Sequence, residues 1–342
     1  MRTLISDYLR LMRIPSLLGM ALPLIFGAIS VNIFSPFLLI PLFIIGGLSG
    51  IYGFVLNDYI DSDLDKTSKE LSKRPLVNGK ISKKTAKVII FTCFIGAYLT
   101  VFIFFYRFDI IFFTGLIFLI IADILAGVYN LYGKVLIGSD FLLALAQSLY
   151  FLFGAVMVLQ NESINVLTWV FFVLIFTQML YMNAFTGGIK DADHDFHFNV
   201  KNIALSSGVR INEDNTISIP LLFKIFGVGL RCFFSILIFF PYVFYNIPYE
   251  SHQIIILIAL VFSMLYFSIE MFNTKQFNRT KLRKSITIQL FIWYLIAPVM
   301  LLSVADTYSE IISIIFFLII IPLMWYISFT LLINDKIFEP NI

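Results

Sequence analysis

Charged residues are scarce in this sequence, and their scarcity excludes most kinds of soluble protein. Asp, Glu, Lys and Arg together make up 13% of the 342 residues, whereas a soluble globular domain carries about 25%. Hydrophobic residues make up 60% of the chain, and the mean hydropathy is +0.94. This composition is typical of an integral membrane protein. The net charge of +3 gives no reason to expect a nucleic-acid partner.

Cysteine and histidine are also rare, which argues against a disulfide scaffold or a thiolate metal centre. Cys93 and Cys232 both fall inside apolar segments, so they are predicted to be buried small residues rather than a pair. His194 and His197 lie beside Asp195 and suggest a zinc site. No further histidine or cysteine is near them in sequence, so we favour a solvated helix end.

Long apolar runs fill most of the chain instead. Because a helix needs about 20 apolar residues to cross a bilayer, the sequence predicts an all-α, polytopic transmembrane helical bundle. Nine core helices and a tenth are expected at roughly 14–33, 37–57, 86–105, 110–131, 140–160, 166–188, 219–245, 252–272, 285–304 and 310–334. We expect one membrane domain over 1–342, with its core at about 8–305, an extra C-terminal helix in 306–342, and cap loops near 66–85 and 196–218.

The basic residues fall almost entirely on one side of these predicted spans. With a cytoplasmic N-terminus, that side receives Arg2, Arg10, Arg13, the 66–87 cluster, Lys134, Lys190, Lys201, Arg210 and the 275–284 cluster. The opposite side receives only Arg107. The positive-inside rule therefore predicts a cell-membrane protein with a cytoplasmic N-terminus, whose basic loops contact anionic membrane lipids.

A run of acidic residues closes the second apolar segment. Asp58, Asp61 and Asp65 are spaced i, i+3, i+7, so on a helix they share a face, whereas Asp63 points elsewhere. Like charges about 4 Å apart repel by roughly 4 kcal/mol at an effective dielectric near 20. Such a face favours bound cations, and oxygen-rich clusters suit Mg²⁺ or Ca²⁺.

A second acidic run follows the sixth apolar segment, on the same predicted side of the membrane. Asp191 and Asp195 are spaced i, i+4 and share a helix face, whereas Asp193 is expected to pair with a nearby lysine. Mg²⁺ typically binds one or two carboxylates together with substrate phosphates. Two facing clusters could therefore hold a pair of Mg²⁺ ions bridged by a diphosphate.

The residues of these runs match known signatures. The first reads Asn57-Asp58-x-x-Asp61-x-x-x-Asp65, then Arg74-Pro75-Leu76-x-x-Gly79-x-Ile81-Ser82, and it resembles the first signature of the UbiA superfamily of intramembrane prenyltransferases. Asp191 and Asp195 resemble the second signature, and 201–209 resembles the tract that follows it. The resemblance covers about 8–305. It departs at His194-Asp195-Phe196-His197, where the family usually continues E-G-D, and at Asn199, where a glycine is common.

The resemblance implies transfer of a prenyl chain from a polyprenyl diphosphate donor to an acceptor. The implied Mg²⁺ ligands are Asn57, Asp58, Asp61, Asp65, Asp191 and Asp195. Of these, Asp61, Asp65, Asp191 and Asp195 are the implied catalytic residues, and Arg74, Lys134 and Arg13 would bind diphosphate oxygens. The acceptor is aromatic or lipid-like, as in quinone or archaeal ether-lipid synthesis. Tyr129 and Tyr132 have either a structural role or a role in orienting it.

Two other classes of protein also place carboxylates in membranes. Ion-coupled transporters do so, but their sites lie near mid-depth on broken helices, whereas these clusters lie at one face beside basic loops. Membrane phosphatidyltransferases use clustered aspartates and a metal, but the DG-x-x-AR run expected there is absent. Prenyl transfer is the interpretation that fits both acidic runs.

Overall fold

A computed structural model describes residues 4–66, 71–160 and 163–333, and helices account for most of them. The helices are α1 (Leu4–Leu11), α2 (Leu18–Ser30), α3 (Pro36–Asp65), α4 (Lys83–Phe105), α5 (Ile110–Tyr132), α6 (Asp140–Val158), α7 (Val166–Leu180), α8 (Gly188–Lys190), α9 (Ala192–His197), α10 (Ile203–Ser206), α11 (Leu221–Tyr245), α12 (Ser251–Phe272), α13 (Arg279–Leu301), α14 (Tyr308–Ile315) and α15 (Ile321–Leu332). Two π-helical turns cover Tyr181–Gly187 and Phe316–Ile320, and 3₁₀ turns cover Ile14–Leu17, Leu71–Lys73 and Leu302–Val304. Strands β1 (Arg210–Ile211) and β2 (Ile217–Ser218) pair antiparallel.

Ten helical segments of the described chain are long and apolar enough to cross a membrane. The predicted C-terminal helix is one of them, and it consists of α14, the second π turn and α15. The predicted all-α polytopic bundle is therefore confirmed. The outward faces of the peripheral helices are apolar, as in the exposed Phe91 of α4 and Phe262 of α12. Side chains of this kind suit contact with lipid, and a helix satisfies its backbone polar groups internally.

Helices α2 and α6 form the centre of the bundle, and glycines bring their backbones together. A Cβ on Gly27 would lie 2.2 Å from the Phe151 carbonyl oxygen, and one on Gly154 would lie 2.1 Å from that of Leu24. Small residues permit this close approach in membrane bundles, where packing rather than water drives helix association. The contact fixes α2, and with it the Arg13 segment that precedes α2.

The structure differs from the sequence-based predictions for one span, one cysteine and one loop. The sixth span is not a regular α-helix, because it passes through a π turn in which the Asn183 and Thr186 side chains bond to backbone carbonyl oxygens. Cys232 is exposed on the outer surface of α11, so its predicted burial is wrong; an apolar segment has a lipid-facing side as well as a core side. The 196–218 loop contains the short helix α10 and the strands β1 and β2.

Candidate active site

The acidic end of α3 stays helical to Asp65, which places Asp58, Asp61 and Asp65 along one face as the spacing predicts. Asp58 and Asp65 are nearly fully buried, with 5% and 1% of their surface exposed, and Asp61 is half-buried. Asp63 lies off this face and is exposed. It pairs with Lys66 at 2.9 Å and with Lys83 at 2.7 Å, so its expected pairing with lysine is confirmed.

Three cations from separate parts of the chain neutralise the carboxylates of this face. Arg13 Nη2 lies 2.6 Å from Asp58 Oδ1. Arg74 Nη1 lies 3.2 Å from Asp58 Oδ1 and 2.7 Å from Asp65 Oδ2. Lys134 Nζ lies 2.9 Å from Asp61 Oδ1. The three basic residues proposed to bind diphosphate are therefore gathered at the first acidic motif.

Local structure explains how Arg74 reaches the site. The chain after Arg74 turns back through a left-handed Gly79 (φ 77°), and the Ile81 amide donates to the Pro75 carbonyl at 3.1 Å. Leu76 and Ile81 then pack into the apolar cluster between α3 and α4. The Arg-Pro-x-x-x-Gly-x-Ile pattern therefore anchors a turn whose first side chain points at α3.

Arg13 occupies a strained position between α1 and the first 3₁₀ turn. Its φ of 47° and ψ of 44° are left-handed, a conformation that costs a non-glycine residue of order 1–3 kcal/mol and clusters at functional sites. Its guanidinium lies 5.3 Å from the centroid of the Phe54 ring, in addition to the bond with Asp58. Backbone geometry and two contacts therefore hold this cation in place.

The second acidic motif lies where the sixth span ends. The Asp195 amide donates to the Asp191 carbonyl at 2.9 Å, so the two residues are one helical turn apart, as predicted. Asp191 pairs with Lys190 at 2.9 Å, and Asp195 accepts a 2.7 Å bond from Asn202 Nδ2.

Asp193 points away from the face that Asp191 and Asp195 share. It pairs with Arg279 at the start of α13, and no lysine pair to it is found among the described residues. The expected lysine partner is therefore wrong, because the neighbour that reaches Asp193 comes from a helix distant in sequence.

A chain of contacts joins the two acidic motifs. The Lys201 amide, just after the second motif, donates to the Lys134 carbonyl at 2.9 Å, while the Lys134 ammonium binds Asp61. Tyr129 near the end of α5 lines a cavity together with Asn57 of the first motif. Both motifs therefore lie at the same end of the bundle.

Two adjoining cavities open from this end. The first has a volume of about 560 Å³ and largely apolar walls, with Arg13, Asn57 and Tyr129 among its lining residues. The second has a volume of about 380 Å³ and is lined by Lys190, Asp191 and Arg283. They share lining residues from α2, α6, α7, the π turn that follows α7, and α13: Gly19, Gln147, Met179, Asn183, Thr287, Leu290 and Tyr294. Asn57 of the first motif and Asp191 of the second thus border one branched space.

The same region matches a known family along most of the chain. The sequence model of the UbiA prenyltransferase family matches residues 17–295. The chain belongs to this family. The predicted membership is therefore confirmed, and the fold and the integral membrane location agree with it.

Solved structures with the UbiA fold resemble this chain at low sequence identity. An apo UbiA homolog from Aeropyrum pernix K1 has a TM-score of 0.66 at 12% identity, over 85% of this chain and 98% of its own. A UbiA homolog from Archaeoglobus fulgidus, bound to GPP and Mg²⁺, has a TM-score of 0.61 at 18% identity, over 87% and 99%. The same homolog bound to DMAPP and Mg²⁺ has a TM-score of 0.61 at 20% identity, over 88% and 100%. No curated protein matches the sequence.

Two polar groups inside this UbiA chain were not found from the sequence. Asp123 of α5 is buried and accepts hydrogen bonds from the hydroxyls of Tyr98, at 2.7 Å, and Tyr150. Arg231 of α11 is 1% exposed and donates to Gln178 Oε1 at 2.5 Å and Gln289 Oε1 at 3.1 Å. The missed signal was an ionisable residue in mid-span, which usually marks function in a membrane.

Proposed function

We propose that the protein transfers a prenyl chain from a polyprenyl diphosphate to an acceptor in a Mg²⁺-dependent reaction. The observation that carries the proposal is the gathering of both aspartate motifs and of Arg13, Arg74 and Lys134 at one end of the bundle, where Arg13, Asn57 and Asp191 line the cavities. The apolar arm suits an isoprenoid tail, and the charged end suits a diphosphate. Ion transport offers no reason for an apolar arm of this size, and the DG-x-x-AR run expected of a head-group transferase is absent from the sequence.

The residues present fit a magnesium site. Each candidate ligand offers a carboxylate or amide oxygen, the kind of ligand that Mg²⁺ prefers: Asn57, Asp58, Asp61, Asp65, Asp191 and Asp195. Within the described ranges no three carboxylate, histidine or cysteine groups already converge as a metal cluster. Cations neutralise the first motif instead, and a bound Mg²⁺–diphosphate would take their place while the three basic side chains turn to phosphate oxygens. When bound, Mg²⁺ supplies Lewis-acid stabilisation of the leaving diphosphate.

The side chains of this site have distinct roles in the transfer. The bond between the prenyl C1 and the diphosphate oxygen breaks, and its electron pair leaves with the diphosphate. Arg13, Arg74 and Lys134 stabilise the charge that develops there, because they are already held at that end of the cavity. The acceptor supplies the electron pair for the new bond to C1 and releases a proton to water.

The second cavity is the proposed place for the acceptor. Gln147 Nε2 donates to the Gly19 carbonyl at 2.6 Å, and Gln178 Oε1 accepts from Arg231. Since a carbonyl only accepts and a guanidinium only donates, both amide orientations are fixed. Gln147 Oε1 and Gln178 Nε2 are then buried atoms with no hydrogen-bond partner among the described residues, on side chains that line this cavity. An acceptor that both donates and accepts hydrogen bonds, aromatic or lipid-like, would satisfy them.

The site is proposed to face the cytoplasm. Lys and Arg accumulate at the end of the bundle that holds both motifs, whereas the other end carries Arg107. A donor and an acceptor made in the cytoplasm would then reach the cavities without crossing the membrane. Quinone and ether-lipid synthesis are the two processes proposed to use the product.

Transfer of radiolabel from geranylgeranyl diphosphate tests the proposal. Protein purified in detergent is incubated with 4-hydroxybenzoate, with 1,4-dihydroxy-2-naphthoate or with a prenylglyceryl phosphate. We expect a labelled product with one of them, its loss on adding EDTA, and its return with excess Mg²⁺. Product formation that persists in EDTA contradicts the metal assignment. Absence of both transfer and Mg²⁺-dependent donor binding contradicts the function.

Substitution of Gln178 tests the acceptor site separately. Gln178→Met removes the unpartnered amide from the cavity wall, so the KM for the acceptor should rise several-fold while the KM for the donor stays the same. Gln289→Met is the matched control, because Gln289 also binds Arg231 but does not line either cavity. If both substitutions raised the KM for the acceptor equally, Gln178 would act only by binding Arg231.

A further inference from the structure

The tenth span lies outside the part of the chain that the UbiA family model matches, and the chemistry proposed above does not use it. It consists of α14, the π turn Phe316–Ile320 and α15, all beyond residue 295. Most of its hydrophobic surface faces outward, including Ile312, Phe316 and Met324. We call this segment, Tyr308–Leu332, the C-terminal span.

The C-terminal span forms one wall of the first cavity. Leu318 and Ile319 of the π turn line it, as do Pro322, Leu323 and Tyr326 of α15. The other walls come from α2, α3, α5, α6, α7 and α13, together with the segment that precedes α2 and the π turn that follows α7. Without the C-terminal span, this side of the cavity would open toward the lipid.

Specific contacts hold the C-terminal span against the helices on both sides of the first cavity. The Trp325 indole donates to the Ile14 carbonyl at 2.8 Å, next to Arg13 in sequence. The Tyr326 ring meets Phe291 of α13 edge-on, with the ring centroids 5.1 Å apart. Arg10 donates to the Ile333 carbonyl just beyond the end of α15. The wall is therefore tied to α1 and the first 3₁₀ turn on one flank and to α13 on the other.

The π turn lies where the span faces the cavity. Leu318 at its centre is 1% exposed, and both Leu318 and Ile319 line the cavity. A π turn inserts an extra residue into a helix, is rare, and appears frequently at functional sites. Phe316 and Ile320 at the two ends of the turn face outward, whereas Leu318 and Ile319 between them face the cavity, so the turn presents two successive side chains to the cavity.

We propose that the C-terminal span closes the lipid-facing side of the first cavity and so limits the length of prenyl tail that the enzyme accepts. The inference rests on the proposed function, because it takes the occupant to be the tail of a prenyl diphosphate. With its diphosphate held near Arg13 and Asn57, a tail that outgrows the cavity has to displace this wall, whereas an open side would let the tail extend into lipid. Leu318, Leu323 and Tyr326 are the specificity-determining residues.

Leu323 and Met324 provide a matched pair on α15. They are adjacent and similar in volume, but Leu323, which is 45% exposed, lines the cavity, whereas Met324, which is 63% exposed, does not. Leu323→Trp adds bulk to the cavity wall, and Met324→Trp adds the same bulk to the outer face. Leu323→Ala and Met324→Ala form the corresponding pair for loss of bulk.

Binding of hydrolysis-resistant donors tests the inference without knowledge of the acceptor. The S-thiolodiphosphates of geraniol, farnesol and geranylgeraniol are titrated with Mg²⁺ into the full-length protein and each variant. Leu323→Trp should weaken geranylgeranyl binding relative to geranyl binding by about tenfold, and Leu323→Ala should shift the ratio the other way. Both Met324 variants should keep the wild-type ratio.

The outcomes separate the inference from the function on which it rests. If the wild type binds none of the three analogues, the proposed function fails. If it binds them and the ratio is unchanged in both Leu323 variants, the inference fails while the function stands. If the ratio of geranylgeranyl to geranyl binding shifted equally in the Leu323 and Met324 variants, the inference would also fail. The shift would then result from altered helix packing.

Photolabelling of the wild type gives a second test that needs no variant. A geranyl diphosphate analogue with a benzophenone at the end of its tail should label peptides covering Leu318–Tyr326, in a reaction that competing geranylgeranyl diphosphate suppresses. Labelling confined to α2 and α13, or labelling of the C-terminal span that competitor does not suppress, would overturn the inference.

Discussion

The two acidic motifs of this UbiA chain lie at one end of the bundle, yet their charges are balanced in different ways. In the first, the Asp65 carboxylate is 2% exposed and meets Arg74 from a separate loop. In the second, the Asp191 carboxylate is 40% exposed and pairs with Lys190, its neighbour in sequence. The buried pair holds the loop after α3 against the end of that helix, whereas the exposed pair between sequence neighbours joins no second element. The first motif therefore has a structural role as well as a chemical one, and the second is free to adapt to a ligand.

The largest expected effect is a loss of enzymatic turnover, and it should be the same for a substitution in either motif. Asp61→Ala and Asp191→Ala should each lower turnover by about 100-fold or more, because each removes an oxygen ligand from the proposed site. Turnover of labelled geranylgeranyl diphosphate is the measurement, with membrane insertion checked for both variants. Near-normal turnover in either variant would contradict the proposed metal site.

The second-largest expected effect is on folding stability, and it should differ between the two motifs. Arg74→Met leaves the Asp65 carboxylate buried without its partner, which should destabilise the fold by about 3–5 kcal/mol. Lys190→Met breaks an exposed pair and should cost about 1 kcal/mol or less. Thermal unfolding of the two variants in detergent compares them, and equal losses would mean that burial does not separate the motifs.

The smallest effect belongs to the aspartates that point away from the shared faces. Asp63→Asn and Asp193→Asn should each change turnover by about twofold or less, since these residues form peripheral pairs. The same turnover assay applies, with Asp61→Ala as the inactive reference. Complete loss in Asp63→Asn would mean that the helical phase of the first motif was misassigned.

Much of this arrangement could be predicted from the sequence because it is local. The i, i+3, i+7 spacing of Asp58, Asp61 and Asp65 requires only that the helix continue, and α3 does continue to Asp65. The spans follow from apolar length alone. The π turn at Tyr181–Gly187 could not be predicted, since a single extra residue leaves the apolar pattern almost unchanged.

The partners of the charged residues depended on tertiary packing. Nothing near Asp193 in sequence indicates Arg279, and nothing near Asp65 distinguishes Arg74 from the lysines around it. Arg231 and Asp123 were visible as isolated ionisable residues in apolar spans. Their hydrogen-bond partners, however, come from neighbouring helices that only the folded bundle brings together.

The sequence by itself determined that this chain crosses the membrane, that its aspartates form two helix-end motifs, and that it resembles the UbiA prenyltransferases. Apolar length and helical spacing are properties of one segment at a time, and so they can be identified without the fold. The tertiary structure decided which cation meets each carboxylate, that both motifs border one branched cavity, and that the C-terminal span lines it. Those features depend on contacts between residues far apart in the chain, which only packing can bring together.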